Sequence, residues 1–387
     1  MSTIEKRILA LWAIASIFLF LYTFTQVDLS LTLSSLPFVA KVLLGFQYIG
    51  FFNRPLSSQM YILLILLFSS LYIFTTLRVG RKEISKKGLF KLTFVITLLL
   101  TFSYNAFSYD VFNYIFDAKI VTHYHENPYI HKALDFPGDP MLSFMRWTHR
   151  VYPYGPVWLA FTVPLSFVGA GFFLPTFFLF KILAALSYLC SVWFLYKIAV
   201  IVKKEKALLV TAIFALNPLV LIESLVSAHL DIVMTALMLM AVYFLFSKKG
   251  IKSYVFLALS IGIKYASGFL LPLFIFNKWT KSYFFEGAIV LLLASIIAQA
   301  LRANLQSWYL LVVIPFIPLT HLRRPLIVTA ILSAAGLLYY LPPIFFGNWN
   351  KPVPEQLNLI VMAAVFLVGG YLVYEIAVSV GLKKRSV

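Results

Sequence analysis

The sequence predicts an all-α, polytopic transmembrane protein with about 11–13 membrane-crossing helices of about 20 residues each. Hydrophobic residues make up 61% of the 387-residue chain and charged residues only 12%. Long apolar runs recur from end to end, and a soluble protein of this composition would expose far too much apolar surface. The single cysteine, Cys190, lies inside one such run, so we expect neither a disulfide framework nor a cysteine-based metal site.

The net charge of +18 is explained by membrane topology. Basic residues stand in short clusters between the apolar runs, for example at 78–87, 203–206 and 248–252. Such clusters mark the cytoplasmic ends of membrane helices. We therefore predict a multi-pass protein of the cell membrane with both termini cytoplasmic and no nucleic-acid partner. The whole chain, 1–387, is predicted to form a single integral-membrane domain.

With these clusters held inside, the apolar runs follow one another in a consistent order. Predicted helices lie near 8–25, 58–77, 89–105, 155–168, 173–202, 207–224, 230–247, 252–265, 267–277, 283–301, 308–321, 325–343 and 357–380. The segment 155–168 is too short and too proline-flanked for a simple span, so we interpret it as a re-entrant or interfacial helix. Irregular backbone at this depth requires cover by protein or by a water-filled cavity. Residues 157–343 form the predicted core bundle.

A large polar loop, 106–156, precedes the short helix and is predicted to be extracytoplasmic. It carries five of the fourteen acids and four of the six histidines of the chain: Asp110, Asp117, Glu126, Asp135, Asp139, His123, His125, His131 and His149. Ionisable residues at a membrane usually mark a pathway or a site. We therefore expect the catalytic residues to lie in this loop.

Three further polar turns fall on the same predicted face and indicate one shared cavity. They carry Glu223, His229 and Asp231, then Lys264, and then Arg302, Gln306 and Trp308. The cytoplasmic side offers only short basic connectors, and the sequence contains no phosphate-cradling glycine loop of the GxxxxGK[ST] type. A lipid-borne substrate therefore fits better than a cytosolic nucleotide.

Several sequence words resemble those of the C-type (GT-C) superfamily of integral-membrane glycosyltransferases, and in particular polyprenyl-phosphate-mannose-dependent mannosyltransferases similar to glycosyltransferase family 87. The words are SYDVFNYIFDAK, HENPY, YPYGPVW, NPLVLIESLVSAHLD, IKYASGFLLP and LQSWYL, in the expected order. The resemblance implies transfer of a sugar, mannose in the first place, from a polyprenyl-phosphate donor to a glycan or glycolipid acceptor. It also implies that Asp110 is the general base. Because Val111 and Phe112 follow Asp110, a metal held by adjacent carboxylates has little support, and no cofactor is predicted.

The chemistry of glycosyl transfer from a phosphate suggests roles for the other candidates. A carboxylate accepts the proton of the acceptor hydroxyl, and fixed cations face the departing phosphate. Lys264, Arg302 and His229 are the cations or donors available on the predicted outer face. No nucleophilic constellation is evident, so direct displacement with inversion is the more economical mechanism.

Each candidate also has a purely structural interpretation. Asp110 is suited to cap the helix that follows it. Asp117, on the same face of that helix, either binds a sugar hydroxyl or a metal, or pairs with Lys119 or Arg146. Asn127 and Tyr129 belong either to the substrate site or to the loop architecture.

The remaining candidates are open to the same two interpretations. Tyr152 and Tyr154 form either a rigid turn or a sugar platform. Asp231 stands where a helix begins, and Lys264 is suited to snorkel outward. Gln306 and Trp308 either stack on a sugar or join an aromatic belt.

Two other classes of function remain as alternatives to the enzyme. One is a flippase or transporter for a lipid-linked sugar, in which discontinuous helices recur in two halves of the chain. The other is a non-catalytic assembly subunit, in which Asp110 and Lys264 are dispensable.

Overall fold

A computed structural model describes residues 2–276 and 281–385, and within these ranges every regular element is helical. The first helices are α1 (Thr3–Thr23), α2 (Pro37–Gln47), α3 (Arg54–Gly80), α4 (Lys86–Thr101), α5 (Asp110–Thr122), α6 (Pro156–Val168) and α7 (Phe173–Val202). The later ones are α8 (Ala207–Ala215), α9 (Pro218–Leu221), α10 (Asp231–Phe246), α11 (Gly250–Ile261), α12 (Leu271–Ile275), α13 (Phe284–Ala300), α14 (Pro325–Leu338), α15 (Leu341–Phe346) and α16 (Val353–Arg385). The predicted all-α polytopic class is confirmed.

Fewer helices than predicted are long enough to cross a membrane. Among the described residues five qualify by length and apolar composition, or six when the bent pair Lys204–Ala215 and Pro218–Val226 is counted as one span. Most of the other predicted crossings are shorter apolar helices. The region predicted as 308–321, for example, contains two 3-10 helices, Ser307–Val312 and Ile317–Leu319. Helix α2 and the π-helical turn that follows it were not predicted.

The predicted helix 207–224 is broken in the middle. Asn217 accepts hydrogen bonds at its side-chain oxygen from the backbone N–H groups of Leu219 (3.0 Å) and Val220 (3.3 Å). Pro218 occupies the first position of the new helix, where its missing N–H costs nothing. The two halves are bent by 56°. The second half continues as a π-helix, Ile222–Val226, and carries Glu223.

This broken helix lies at the centre of the molecule. Every residue from 210 to 239 is buried. Helix α7 packs against α8 and α10, and α10 also packs against α11. On the other side, α5 packs against α6 and α7, so the first helix of the polar loop is held against the same core.

The polar loop is joined to the turn before Lys264 by backbone hydrogen bonds. Gly155 N–H donates to Ile263 O (2.9 Å), and Val157 N–H donates to Gly262 O (3.0 Å). A Cβ at position 155 would lie only 2.1 Å from Gly262 O, so this close approach requires glycine. The loop and the Lys264 turn are therefore fixed side by side.

Candidate active site

Asp110 is the first residue of α5, and its carboxylate is not used to cap that helix. The N-cap residue is Tyr109, which makes no side-chain capping bond. Asp110 is 7% exposed. Tyr114, one turn later, donates from its hydroxyl to Asp110 Oδ2 at 3.5 Å. The capping interpretation of Asp110 does not describe this structure, and the carboxylate remains available for chemistry.

His229 lies between Asp110 and a second acid, Glu223. His229 Nδ1 is 3.6 Å from Asp110 Oδ2, and His229 Nε2 is 3.4 Å from Glu223 Oε2. The imidazole is fully buried and stacks on the indole of Trp308, with ring centroids 3.9 Å apart and an interplanar angle of 16°. Neither contact is a hydrogen bond, because both ring nitrogens of His229 are buried without a hydrogen-bond partner in the described part of the chain. The three side chains form an acid–histidine–acid array in which the imidazole is held flat.

Glu223 anchors the inner end of this array. Its Oε1 accepts hydrogen bonds from the hydroxyls of Ser307 (2.6 Å) and Tyr340 (2.8 Å). The residue is fully buried, and burying a carboxylate without such donors would be costly. Ser307 and Tyr340 were not predicted, because single hydroxyl residues within apolar segments carry no distinctive sequence signal.

The segment that carries Glu223 and His229 is held in place by Lys181 of α7. This lysine is 1% exposed, and its side-chain nitrogen donates hydrogen bonds to the backbone carbonyls of Leu225 and Val226. These carbonyls lie at the end of the broken helix, where helical N–H partners run out and a side-chain donor takes their place. Lys181 was not singled out from the sequence, because it is one polar residue within a long apolar run.

Lys264 forms an ion pair with Asp231, the first residue of α10. Lys264 Nζ lies 2.9 Å from Asp231 Oδ1 and 4.4 Å from the centroid of the Tyr309 ring. From the sequence, Lys264 was expected to be a free cation for phosphate. In the structure its charge is largely matched by Asp231. The pairing was not predicted because the two residues belong to different turns of the chain.

Arg150, at the end of the polar loop, is a second cation of the site and was not predicted. Its positive charge lowers the pKa of both Asp110 and Asp117. Among the described residues, no carboxylate lies within ion-pair distance of its guanidinium. Burial raises the pKa of Asp110 above its usual range, and the charges of Arg150 and Lys264 partly oppose this rise. Burial also raises the pKa of Asp117, to about 7, again with Arg150 opposing.

Asp117 makes neither of the salt bridges considered from the sequence. Lys119 pairs instead with Asp139. Arg146 lies 3.9 Å from Asp28. Asp117 therefore remains a candidate contact for substrate, on the same face of α5 as Asp110.

The residues of the NPY and YPYGP motifs mainly make hydrogen bonds within the polar loop. Tyr129 donates from its hydroxyl to Tyr154 O (3.1 Å), and the Tyr152 hydroxyl donates to Gly155 O (2.8 Å). Asn127 accepts from Tyr129 N–H at its side-chain oxygen. The Tyr154 ring lies 5.6 Å from the ring of Tyr114, whose hydroxyl contacts Asp110.

The three candidates of the last predicted polar turn, Arg302, Gln306 and Trp308, lie in different environments. Trp308 stacks on His229, as described, and half-buried Gln306 precedes the 3-10 helix Ser307–Val312. Arg302 is exposed after the end of α13, and within the described ranges its side chain makes no recorded ion pair or hydrogen bond. No group of three or more His, Cys, Asp or Glu side chains in residues 2–276 and 281–385 is arranged to hold a metal ion.

The described chain thus combines apolar helices long enough to cross a membrane with a buried acid–histidine–acid array. The chain is a member of the alpha-(1->6)-mannopyranosyltransferase family, whose N-terminal domain model matches residues 22–280. Comparison with curated proteins and comparison with solved structures both find no match. The protein is therefore a glycosyltransferase of the mannosyltransferase type, as predicted. Placement in glycosyltransferase family 87 in particular stays a prediction.

The matched region contains most of the site. Asp110, Arg150, Glu223, His229 and Lys264 all lie inside it. The residues that complete the array, Ser307, Trp308 and Tyr340, lie beyond it. The C-terminal third of the chain thus supplies the partners that hold Glu223 and His229.

Proposed function

We propose that the protein transfers a mannosyl group from a polyprenyl-phosphate donor to a hydroxyl of a glycan or glycolipid, on the extracytoplasmic face of the cell membrane. Asp110 is the general base. The observation that carries the proposal is the state of this carboxylate: it is nearly buried, is not used as a helix cap and is flanked by His229. Family membership supports the mannosyl group, and the positions of the basic clusters support the face.

The proposed reaction is a single displacement. Asp110 takes the proton of the acceptor hydroxyl as the acceptor oxygen bonds to C1 of the sugar. The bond between C1 and the phosphate oxygen breaks, and its electron pair leaves with the phosphate. The raised pKa of Asp110 makes its carboxylate a stronger base than an exposed aspartate.

Arg150 is the proposed ligand of the departing phosphate. Lys264 already neutralises Asp231, and the side chain of Arg302 is exposed. The charge of Arg150 lowers the pKa of Asp110, and its guanidinium has no carboxylate at ion-pair distance within the described chain. A guanidinium offers a planar fork of donors that matches phosphate oxygens. In this proposal Arg150 neutralises the negative charge that develops on the leaving phosphate.

The mechanism also fixes the anomeric form of the donor. A single displacement inverts the configuration at C1. If the product is an α-mannoside, as in the description of the family, the donor must be a β-linked mannosyl phosphate. A double displacement would require an α-linked donor and a covalent intermediate.

The proposal is tested by sugar transfer in reconstituted liposomes. Radiolabelled polyprenyl-phosphate-mannose and nucleotide-activated mannose are compared as donors, with octyl α-mannoside as the acceptor. We expect label in the octyl product from the lipid-linked donor alone. Transfer from the nucleotide sugar would overturn the donor assignment. Movement of the labelled lipid between leaflets without any transfer would instead favour the flippase.

A further inference from the structure

A cavity of about 550 Å³ lies between the last turns of α7 and the last turns of α10. Its lining is both basic and apolar and includes Lys197, Lys248, Tyr196, Tyr243, Val200 and Ile201. Val200 is 38% exposed and Ile201 is 47% exposed, so the cavity opens at the surface of the helical bundle. Sites for small molecules typically have volumes of about 300–1,000 Å³. The cavity is therefore large enough to hold a ligand.

The cavity is separate from the acid–histidine–acid array. Asp231 begins α10, whereas Tyr243 lies near the other end of that helix. At 1.5 Å per residue, the two ends of α10 are about 20 Å apart. Helix α7, which supplies the other wall, is long and apolar enough to cross a membrane. The cavity therefore lies at one end of a membrane span, where lipid headgroups are found.

The two lysines of the cavity carry positive charge that no carboxylate neutralises. Within residues 2–276 and 281–385, the lysines paired with a carboxylate are Lys119, Lys264 and Lys351. Lys197 Nζ instead lies 5.6 Å from the centroid of the Trp193 ring and 5.3 Å from that of Tyr243. Aromatic rings attract a cation without cancelling its charge, and an ammonium group has three donors. Lys197 is therefore positioned and still able to bind an anion.

Lys248 occupies a backbone position that favours glycine. Its φ angle is +59°. Lys248 N–H donates to Leu245 O (3.1 Å), and Lys249 N–H donates to Phe244 O (2.9 Å). These two bonds form the Schellman ending of α10, in which the left-handed residue is usually glycine. A lysine there suits the negative end of the helix dipole, and it also places a second cation at the opening of the cavity.

We propose that this cavity binds the phosphate headgroup of an anionic glycerophospholipid, whose acyl chains lie along Val200 and Ile201. The inference does not depend on the proposed function. Lys197 and Lys248 supply positive charge and donors to the phosphodiester oxygens. The exposed aliphatic side chains continue the site toward the hydrocarbon region. Basic pockets between membrane helices bind anionic headgroups in this way, and the uncompensated charge selects an anionic lipid over a zwitterionic one.

Topology is the competing explanation for these lysines, because basic residues orient membrane helices and extend their charged ends to the interface. The two roles differ in what they require. A headgroup site holds a defined number of lipid molecules and depends on the shape of the cavity. An orienting charge requires neither.

The test is native mass spectrometry of the full-length protein in detergent, titrated with dioleoylphosphatidylglycerol or dioleoylphosphatidylcholine. We expect wild type to bind one phosphatidylglycerol more tightly than phosphatidylcholine. Each basic residue at a membrane surface contributes about fivefold in affinity, so Lys197→Gln combined with Lys248→Gln should weaken phosphatidylglycerol binding about 30-fold. Lys6→Gln combined with Arg7→Gln is the matched control, because it removes the same charge from two exposed residues of α1. It should bind the lipid as wild type does.

Val200→Trp separates the cavity from its charge. The indole would fill the opening and leave every lysine in place, so phosphatidylglycerol binding should again be lost. Equal affinity of wild type for the two lipids would overturn the site, as would wild-type binding by Val200→Trp or an equal loss in the Lys6 and Arg7 control. Displacement of the lipid by millimolar inorganic phosphate would show a site for free phosphate and would also overturn it. The assay needs no sugar transfer, so its outcome is distinct from that of the proposed function.

Discussion

His229 Nδ1 lies 3.6 Å from Asp110 Oδ2, in a contact that joins the polar loop to the break in the central helix. The imidazole is stacked on Trp308, and its other nitrogen lies 3.4 Å from Glu223 Oε2. The stacking restricts the rotation of the ring, and the ring in turn restricts the positions open to the Asp110 carboxylate. The polar loop thus holds the proposed base against a side chain of the protein core.

His229→Gln should slow sugar transfer without unfolding the protein. Glutamine can contact either Asp110 or Glu223 but cannot bridge them as a flat ring does. We expect kcat to fall about 100-fold, the cost of misplacing a catalytic group, with little change in the KM for the acceptor. Initial rates and the thermal midpoint in detergent measure the two effects.

His321→Gln is the control for that experiment, because His321 is exposed and pairs with Glu286, outside the array. Wild-type rates in His229→Gln would remove the imidazole from the mechanism. A large fall in the thermal midpoint would assign it a structural role instead.

Arg150→Gln should change both donor binding and the dependence on pH. Asp110 must be ionised to act as a base, so activity is lost as the pH falls through the pKa of Asp110. The charge of Arg150 lowers this pKa. Removing that charge raises the pKa further, so the acidic limb of the pH–rate profile should move to higher pH. The KM for the donor should also rise.

Arg302→Gln serves as the comparison for Arg150→Gln, because Arg302 is exposed and was one of the candidate phosphate ligands considered from the sequence. It should leave the profile and the KM for the donor near wild type. A larger effect of Arg302→Gln than of Arg150→Gln would reverse the assignment of the phosphate ligand.

The two anomers of a synthetic polyprenyl-phosphate-mannose should behave differently. Single displacement to an α product requires the β-linked donor, so the β-anomer should be consumed and the α-anomer should not. The anomeric configuration of the product is read from the proton–carbon coupling at C1 by NMR. Formation of an α product from the α-linked donor would demonstrate retention, and hence a nucleophile on the enzyme.

Lys181→Met should destabilise the protein. The substitution keeps the apolar stem but leaves the carbonyls of Leu225 and Val226 without their side-chain hydrogen-bond donor. We expect a loss of about 2 kcal/mol in the free energy of unfolding, together with reduced activity, because these carbonyls precede His229. Lys197→Met, at a half-buried lysine that contacts aromatic rings, is the control. Equal stability of the two variants would show that Lys181 does not hold the segment.

Much of the helical framework could be predicted from hydropathy alone. The prediction 173–202 coincides with α7, and the short helix predicted at 155–168 is α6, Pro156–Val168. Where charges or glycines bound a long apolar run, the sequence itself shows where the helix begins and ends. The break at Asn217 was missed although its signal was present: an Asn–Pro pair inside an apolar run provides both a cap and a helix stop.

The site could be predicted only in part. Asp110, Glu223 and His229 are conspicuous because they are ionisable residues beside apolar runs. Lys181, Ser307 and Tyr340 are not, since their roles depend on which backbone or carboxylate they meet in three dimensions. The pairing of Lys264 with Asp231 was missed for the same reason: the sequence shows charges but not the distances between them.

The most direct test of the account is the rate of mannosyl transfer by Asp110→Asn in liposomes, with Asp135→Asn as the control. Asparagine preserves the size of the side chain and removes its basicity. Asp135 lies in the same loop, is exposed and contacts His131. We predict that Asp110→Asn loses about 1,000-fold in kcat while retaining its thermal midpoint and donor binding, and that Asp135→Asn retains wild-type activity. Equal rates for wild type and Asp110→Asn would contradict the assignment of Asp110 as the base.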